Sequence, residues 1–183
     1  GQRGLDMDND RMFSVLGKSN VDLAMGEFLL DLAVGTAVML IQPGDDLTPI
    51  RFTAVPKYLV SIEEGAHGKV DNVYRRMRLK GEAIKQHWSD ADIPERMQRM
   101  IDEKPTEEIE LVEATLYDPD QGDYCYHVIW AEGKEGLLMR RRKSSPWIVA
   151  RYMKVAGEVY GSGPLVTAIP DIKTLNKTLE LLL

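Results

Sequence analysis

The stretch from Pro146 to Leu183 (PWIVARYMKVAGEVYGSGPLVTAIPDIKTLNKTLELLL) constrains the fold most, because a strand, a glycine turn and two helix starts follow one another with no spare residues. Trp147 to Val155 is rich in β-branched and aromatic residues and has the length of a strand. Gly157, Gly161 and Gly163 break it. Pro164 stands where the first turn of a helix tolerates a missing N–H, and Pro170 is expected to end that helix because its ring collides with the preceding turn. Asp171 is then the expected N-cap of a second helix. In it Ile172, Leu175, Leu179 and Leu182 recur at three- and four-residue spacing and form one apolar stripe. No glycine, asparagine or basic last turn closes that helix, and the chain opens on Gly1-Gln2, so a piece of something longer is expected.

Upstream, Asp8 to Leu16 reads as a short helix with Met12, Phe13 and Leu16 on one side. Ser19 or Asn20 caps a clearer one, whose Val21, Met25, Phe28, Leu29 and Leu32 follow helical spacing. Asp22 lies in its first turn and Gly35 supplies its stop. Thr36 to Ile41 reads as a buried strand, and Pro43-Gly44-Asp45-Asp46 as a turn. Ile50 to Val55 and Tyr58 to Ile62 read as a strand pair divided at Pro56. Val70 to Leu79 follows as a hairpin strand with a wet face. Gly81 to Trp88 and a second helix starting at Pro94, with Met97, Met100 and Ile101 on one side, form a small helical insertion ended by Lys104-Pro105.

From Glu107 the period changes to two. Ile109, Leu111, Glu113, Thr115 and Tyr117 share one phase, and Tyr124, Tyr126, Val128 and Trp130 continue it beyond the turn at Asp118-Pro119-Asp120-Gln121-Gly122-Asp123. Leu137 to Arg142 and the strand after Ser144-Ser145-Pro146 complete four adjacent strands in an antiparallel meander. The class is α+β: an antiparallel meander with hairpins, an N-terminal amphipathic helix, a two-helix insertion and a C-terminal helix. The expected organisation is an arm over 1–18, a body over 19–160 with the insertion at 80–104, and a turn with the start of a helix over 161–183.

Composition narrows the function. With 44% hydrophobic and 28% charged residues in 183, the chain has the make-up of a globular protein able to bury a core. Cys125 is the single cysteine, which forbids an internal disulfide and a cysteine-based zinc site. The longest apolar run, Phe28 to Ile41, is broken by Asp31 and Gly35, short of the about 20 apolar residues a bilayer span needs. A net charge of −6 opposes tight, salt-dependent gripping of nucleic acid.

Motifs for chemistry are sparse. His67, His87 and His127 fall in a loop, a helix and a strand, without metal-ligand spacing. Asp118, Asp120 and Asp123 suggest a cation loop, but Gly122 stands at a ligand position and no glutamate closes the loop; a hairpin turn explains them better. Gly161-Ser162-Gly163-Pro164 before a helix has free N–H groups for an anion, yet lacks the third glycine of a dinucleotide fingerprint and the lysine of a P-loop. Arg140, Arg141, Arg142 and Lys143 are the one concentrated basic run. Strand alternation sends Arg140 and Arg142 to one face and Arg141 to the other, for contact with DNA or an adjacent subunit if not with neighbouring acids. No catalytic constellation, metal site or cofactor is expected.

Three stretches together resemble one family: Ser19 to Leu40, Ile50 to Leu79 and Ala150 to Glu180. The last is the most specific, with Gly157-Glu158, Tyr160-Gly161 and the run Pro170-Asp171-Ile172-Lys173-Thr174-Leu175-Asn176. The family is that of the head-to-tail connector, or portal, proteins of short-tailed bacteriophages and prophages. Ser162 stands where many relatives carry arginine, and Gly81 to Pro146 matches loosely. The resemblance implies a non-enzymatic subunit of a twelve-membered ring at a capsid vertex, around a channel for double-stranded DNA. It implies itself, terminase, scaffold and tail adaptor proteins as partners, no membrane, assembly in the host cytoplasm and a final place in the virion. The chain would cover the peripheral wing and the first turns of a helix leading towards the channel. Two other readings stay open at this point: a phage nuclease holding Mg²⁺ on Asp118, Asp120 and Asp123, and a generic β-meander binding module.

Overall fold

The computed structural model describes residues 2–182, and the side chains of residues 4–181. The chain forms two compact units, one combining the residues up to Lys57 with those from Pro146 onward, the other Tyr58–Ser145.

The first unit is built on β1 (Thr36–Pro43), whose Ala37, Val38, Met39 and Leu40 are all buried. A strand apolar in both phases is one buried on both faces, as central strands are. It has β2 (Ile50–Val55) on one side, from Val38↔Val55 to Pro43↔Ile50, and β8 (Trp147–Arg151) on the other, from Thr36↔Arg151 to Leu40↔Trp147, both antiparallel. Asp45 makes the β1–β2 turn, its Oδ1 accepting the N–H groups of Leu47 and Thr48. Over this sheet lies α2 (Val21–Val34), with Ala24 and Phe28 packed on Ala37, Met39 and Phe52. Ahead of it α1 spans Gln2–Gly17, longer than the expected Asp8–Leu16. Of the two expected caps, Ser19 serves the helix, accepting the Val21 N–H at 3.2 Å. The Asn20 amide instead pairs with the Phe52 backbone in both directions, at 2.7 and 2.9 Å, and pins the helix start to β2.

The second unit is a five-stranded antiparallel meander of β3 (Val60–Glu64), β4 (Val70–Lys80), β5 (Glu108–Asp118), β6 (Asp123–Trp130) and β7 (Glu135–Arg142), in sequence order. One face is covered by the insertion: a 3-10 turn at Gly81–Ala83, α3 (Ile84–His87) and α4 (Glu95–Glu103). Ile84, Trp88, Met97 and Ile101 pack there on Ile109, Leu111, Tyr126, Val128, Trp130 and Leu137. The phase of Ile109 and Leu111 in β5, continued by Tyr126, Val128 and Trp130 in β6, is thus the core phase.

Four expectations are corrected. The strand starting at Trp147 is not the fourth of the meander; it leaves for β1, guided by Pro146, whose carbonyl accepts the Ile41 N–H at 2.8 Å. It also stops at Arg151, a two-residue strand β9 (Met153–Lys154) following it. Ile50–Val55 and the strand after Tyr58 are not a pair, because Pro56 and a 3-10 turn at Lys57–Leu59 send them to different sheets. Met25 and Leu29 are exposed, since α2 turns the row of Val21, Ala24, Phe28 and Leu32 to its sheet. Finally, Pro170 ends nothing: α5 runs unbroken from Pro164 to Leu182, and Asp171 is no cap. Pro170 and Val166 are both exposed, so water can reach the carbonyl that the proline leaves without a donor.

Candidate subunit interface

The helix α5 stands on a root made of glycines. Gly35 ends α2 at φ 142°, donating its N–H to Asp31, and its backbone lies so close to β10 (Gly161–Ser162) that a Cβ at Gly35 would meet the Gly161 oxygen at 2.2 Å. A Cβ on Gly163 would meet the Ala33 oxygen at 2.2 Å. The buried Thr36 hydroxyl accepts the Gly161 N–H at 2.8 Å, and the Gly35 carbonyl accepts the Tyr152 N–H at 2.9 Å. β9 pairs with β10 beside this junction. The Gly161-Ser162-Gly163 turn therefore serves close backbone packing against α2, and the Gly161 N–H is already used. Beyond the root, threonine hydroxyls bond back along α5, Thr174 to the Pro170 carbonyl and Thr178 to that of Thr174, both at 2.9 Å.

From that root α5 presents apolar side chains to solvent. Leu165, Ala168, Ile172, Leu175 and Leu179 follow one another at spacings of three and four, the pattern of a packing seam between helices. All but the half-buried Ala168 are exposed, and the side chain of Leu182, the next in the row, lies outside the described residues. α2 repeats the situation. Its sequence is apolar almost all round, as in helices buried on every side, yet Leu23 is 71% and Leu30 73% exposed, with Met25, Leu29 and Val34 exposed beside them. On α1, Leu5, Met7, Met12 and Phe13 are exposed as well. Single exposed apolar residues are ordinary; rows of them on three helices of one unit make that unit's surface the candidate for an interface.

The basic run is largely engaged within its own unit. Arg140 forms a fork with the Asp90 carboxylate, its Nε donating at 3.0 Å. Arg141 reaches Asp118 at 2.6 Å and donates from Nε to Asp123 at 2.9 Å. The Arg142 guanidinium lies over the Tyr126 ring, 5.1 Å from its centroid. Lys143 is exposed and forms no ion pair among the described residues. The alternation holds: Arg140 and Arg142 project on the helix-covered side and Arg141 on the other. Hydrogen bonds from Arg140 hold the Asp90 carboxyl below the usual carboxylate range, and those from Arg141 do the same for Asp118.

A family profile described as bacteriophage head to tail connecting protein matches residues 2–183. The chain belongs to that family. A search of curated proteins found no match. The connector family is a structural one, joining phage head to tail, and no described helix of this member is long and apolar enough to cross a membrane.

In this connector chain two of the three aspartates weighed for Mg²⁺, Asp118 and Asp123, have their carboxylates committed to Arg141. Asp118 Oδ1 accepts the N–H groups of Asp120 and Gln121, tying the β5–β6 turn, while the single Arg141 guanidinium pairs with both Asp118 and Asp123. Among the described residues no group of histidine, cysteine and acidic side chains is placed to hold a metal ion. His67 and His87 are exposed and His127 is half-buried.

One polar constellation went unremarked in the sequence. Glu113 is 1% exposed on the core face of β5. Its Oε1 accepts the Tyr126 hydroxyl at 2.6 Å, that hydroxyl accepts the Trp88 indole N–H at 3.1 Å, and Arg75 Nη1 donates to Oε2 at 3.2 Å. Burial first, then the Glu113 charge, push the Tyr126 phenol well above its ordinary value. Buried charges require partners of this sort. Arg75 Nε, however, is buried with no acceptor among the described residues. The signal was a glutamate in the core phase of an alternating strand.

Proposed function

We propose that this chain is the peripheral, wing-like part of a portal subunit, which assembles with copies of itself into a ring through which DNA is packaged and ejected. In this reading residues 1–18 are an arm, 19–160 the wing-like body, and 161–183 the turn and the start of a helix directed towards the channel. Terminase, scaffold and tail adaptor proteins dock on the assembled ring, which sits at the portal vertex of the virion. The family match over residues 2–183 supports the connector role.

The observation that carries self-assembly is the unpartnered apolar surface of α2 and α5 on one firmly rooted unit. A closed ring needs two different patches on each subunit, one meeting the other on the next copy. Two helices carrying separate apolar rows offer such a pair. Arg140 to Lys143 is a weaker candidate for contact, and within it Lys143 is the residue free to reach DNA or a neighbouring subunit.

Electron microscopy of the intact viral protein tests this reading. Rings with a central hole are expected, and Leu175→Glu with Leu179→Glu should disperse them while leaving the circular dichroism spectrum unchanged. Persistent monomers of the unaltered protein, or rings indifferent to both substitutions, would refute it.

A further inference from the structure

The edge of the meander offers a second, separate surface. β4 is longer than its neighbour β3: their pairing ends at Val60↔Arg75, while Arg76 to Lys80 pair only with β5, from Arg76↔Val112 to Lys80↔Glu108. Ahead of Val60 the chain turns into the 3-10 segment Lys57–Leu59 instead of continuing beside β4. Along the free half of β4, alternate backbone N–H and C=O groups have no strand partner among the described residues. A groove of about 750 Å³ lies in this notch, within the second unit. Its walls differ. Met77, Leu79 and Leu59 supply apolar surface, and Arg76, Arg78 and His87 supply exposed donors, with Tyr58 standing 84% exposed at the rim.

We propose that this notch binds an extended acidic peptide segment, added as a strand to β4, with carboxylates at alternate positions and apolar residues between them. The strand period supplies the alternation. An incoming strand would turn one set of side chains to Arg76 and Arg78 and the other to Met77 and Leu79. Charge selects the occupant. Arg78 has only a 4.0 Å contact with Glu110, both side chains being largely solvated, and Arg76 lies opposite Val112 with no ion pair among the described residues. Cations on an open edge ordinarily guard it against pairing with its own copy. The same cations favour a carboxylate-bearing strand over a second copy of β4. A DNA backbone suits the notch less well, because it cannot use the apolar wall or the backbone ladder, and Glu110 would repel it.

The test is fluorescence anisotropy of a labelled octapeptide alternating glutamate and valine, titrated with the 183-residue chain. Saturable binding is expected, about tenfold weaker for Arg76→Glu combined with Arg78→Glu. N-methylation of alternate peptide amides should abolish it, and a lysine–valine peptide should not bind. Hydrogen exchange at the amides of Arg76 to Lys80 should slow on binding. Both arginines are exposed, so the variant is expected to fold; should its circular dichroism spectrum change, the N-methylated peptide against the unaltered chain decides the matter. The proposal is overturned if the unaltered chain shows no saturable binding, or if the N-methylated peptide binds equally well. Duplex DNA that displaces the peptide and protects the same amides would overturn it too, making the notch a phosphate site.

Discussion

Adding one methyl group at Gly163 tests whether the root of α5 is as tight as its geometry implies. The new Cβ would lie 2.2 Å from the Ala33 oxygen and 2.4 Å from the Val34 carbonyl carbon. Both obstacles are backbone atoms in the last turn of α2, so no side chain can swing aside. Either α5 or the end of α2 must shift by about 1 Å, and overpacking of this kind costs about 1–3 kcal/mol. The upper end applies here, because the junction also carries the Gly161–Thr36 bond, and about 3 kcal/mol corresponds to a Tm lower by roughly 6–12 °C in a protein of this size. Gly26→Ala is the control. It adds the same methyl in the same unit, in the middle of α2, where nothing lies within 4 Å. That change should stabilise by about 0.5–1 kcal/mol, through helix propensity alone. Thermal denaturation followed by circular dichroism reads the sign. Hydrogen exchange at the first turn of α5 reads the place, protection falling for Gly163→Ala and staying level for Gly26→Ala. Equal stability of the two variants, to within about 0.5 kcal/mol, would show that the junction is loose and that nothing fixes the direction of α5.

Two further outcomes follow from the second unit. Glu113→Ala leaves the part-buried Arg75 and the buried Tyr126 hydroxyl without their shared acceptor, and should cost about 3 kcal/mol in urea denaturation; Glu113→Leu with Arg75→Met should recover most of that, and a double variant no better than the single one would contradict the pairing. The Asp90 and Asp118 carboxyls are held low, so their ion pairs stabilise the fold fully above the unfolded aspartate value of about 3.9 and are lost as the pH falls through the lower folded values. The urea midpoint should therefore be level above about pH 5 and drop below it. Asp90→Asn with Asp118→Asn should flatten that drop, as should added salt, since these pairs sit in solvent; an unchanged acid limb would exclude the mechanism.

What the sequence made legible follows the range of each interaction. The alternation after Glu107 depends on neighbours along one strand and made legible three consecutive strands of the meander and the placing of Arg140 and Arg142 on one face and Arg141 on the other. The insertion was legible because Pro94, Met97 and Ile101 combine a start signal with helical spacing. Pairing over distance was not. Nothing near Trp147 says that β1 needs a second edge partner, and the bond from Gly161 to Thr36 spans 125 positions. Pro170 misled because a proline is judged locally as a breaker, whereas its cost depends on whether the freed carbonyl reaches water, which only the exposure of Val166 reveals. The apolar row Ile172, Leu175, Leu179 was found correctly as a row, but spacing cannot tell a core-facing row from an outward one. Glu113 was visible as an acid among core positions, and its partner Arg75 lay 38 positions away.

The two units divide the work that a connector subunit has to do. The meander closes its own core, with Trp130, Leu111, Val128 and Met97 almost fully covered and even its inward glutamate supplied with partners. The other unit leaves its apolar helices open. Fully burying one leucine-sized side chain stabilises by about 1.5–3 kcal/mol, and Ile172, Leu175 and Leu179 are already about half covered, so α5 alone would supply roughly 2–5 kcal/mol. Association costs about 4–15 kcal/mol in lost rigid-body freedom and ordering, so a pair held by α5 alone would be short-lived. Adding Leu29 of α2 with Leu23 and Leu30, the last two more exposed and with more to gain, brings the two sides of this balance within reach of each other. In the ring proposed above every subunit would bury both rows, whereas an open pair would leave one row of each copy in water.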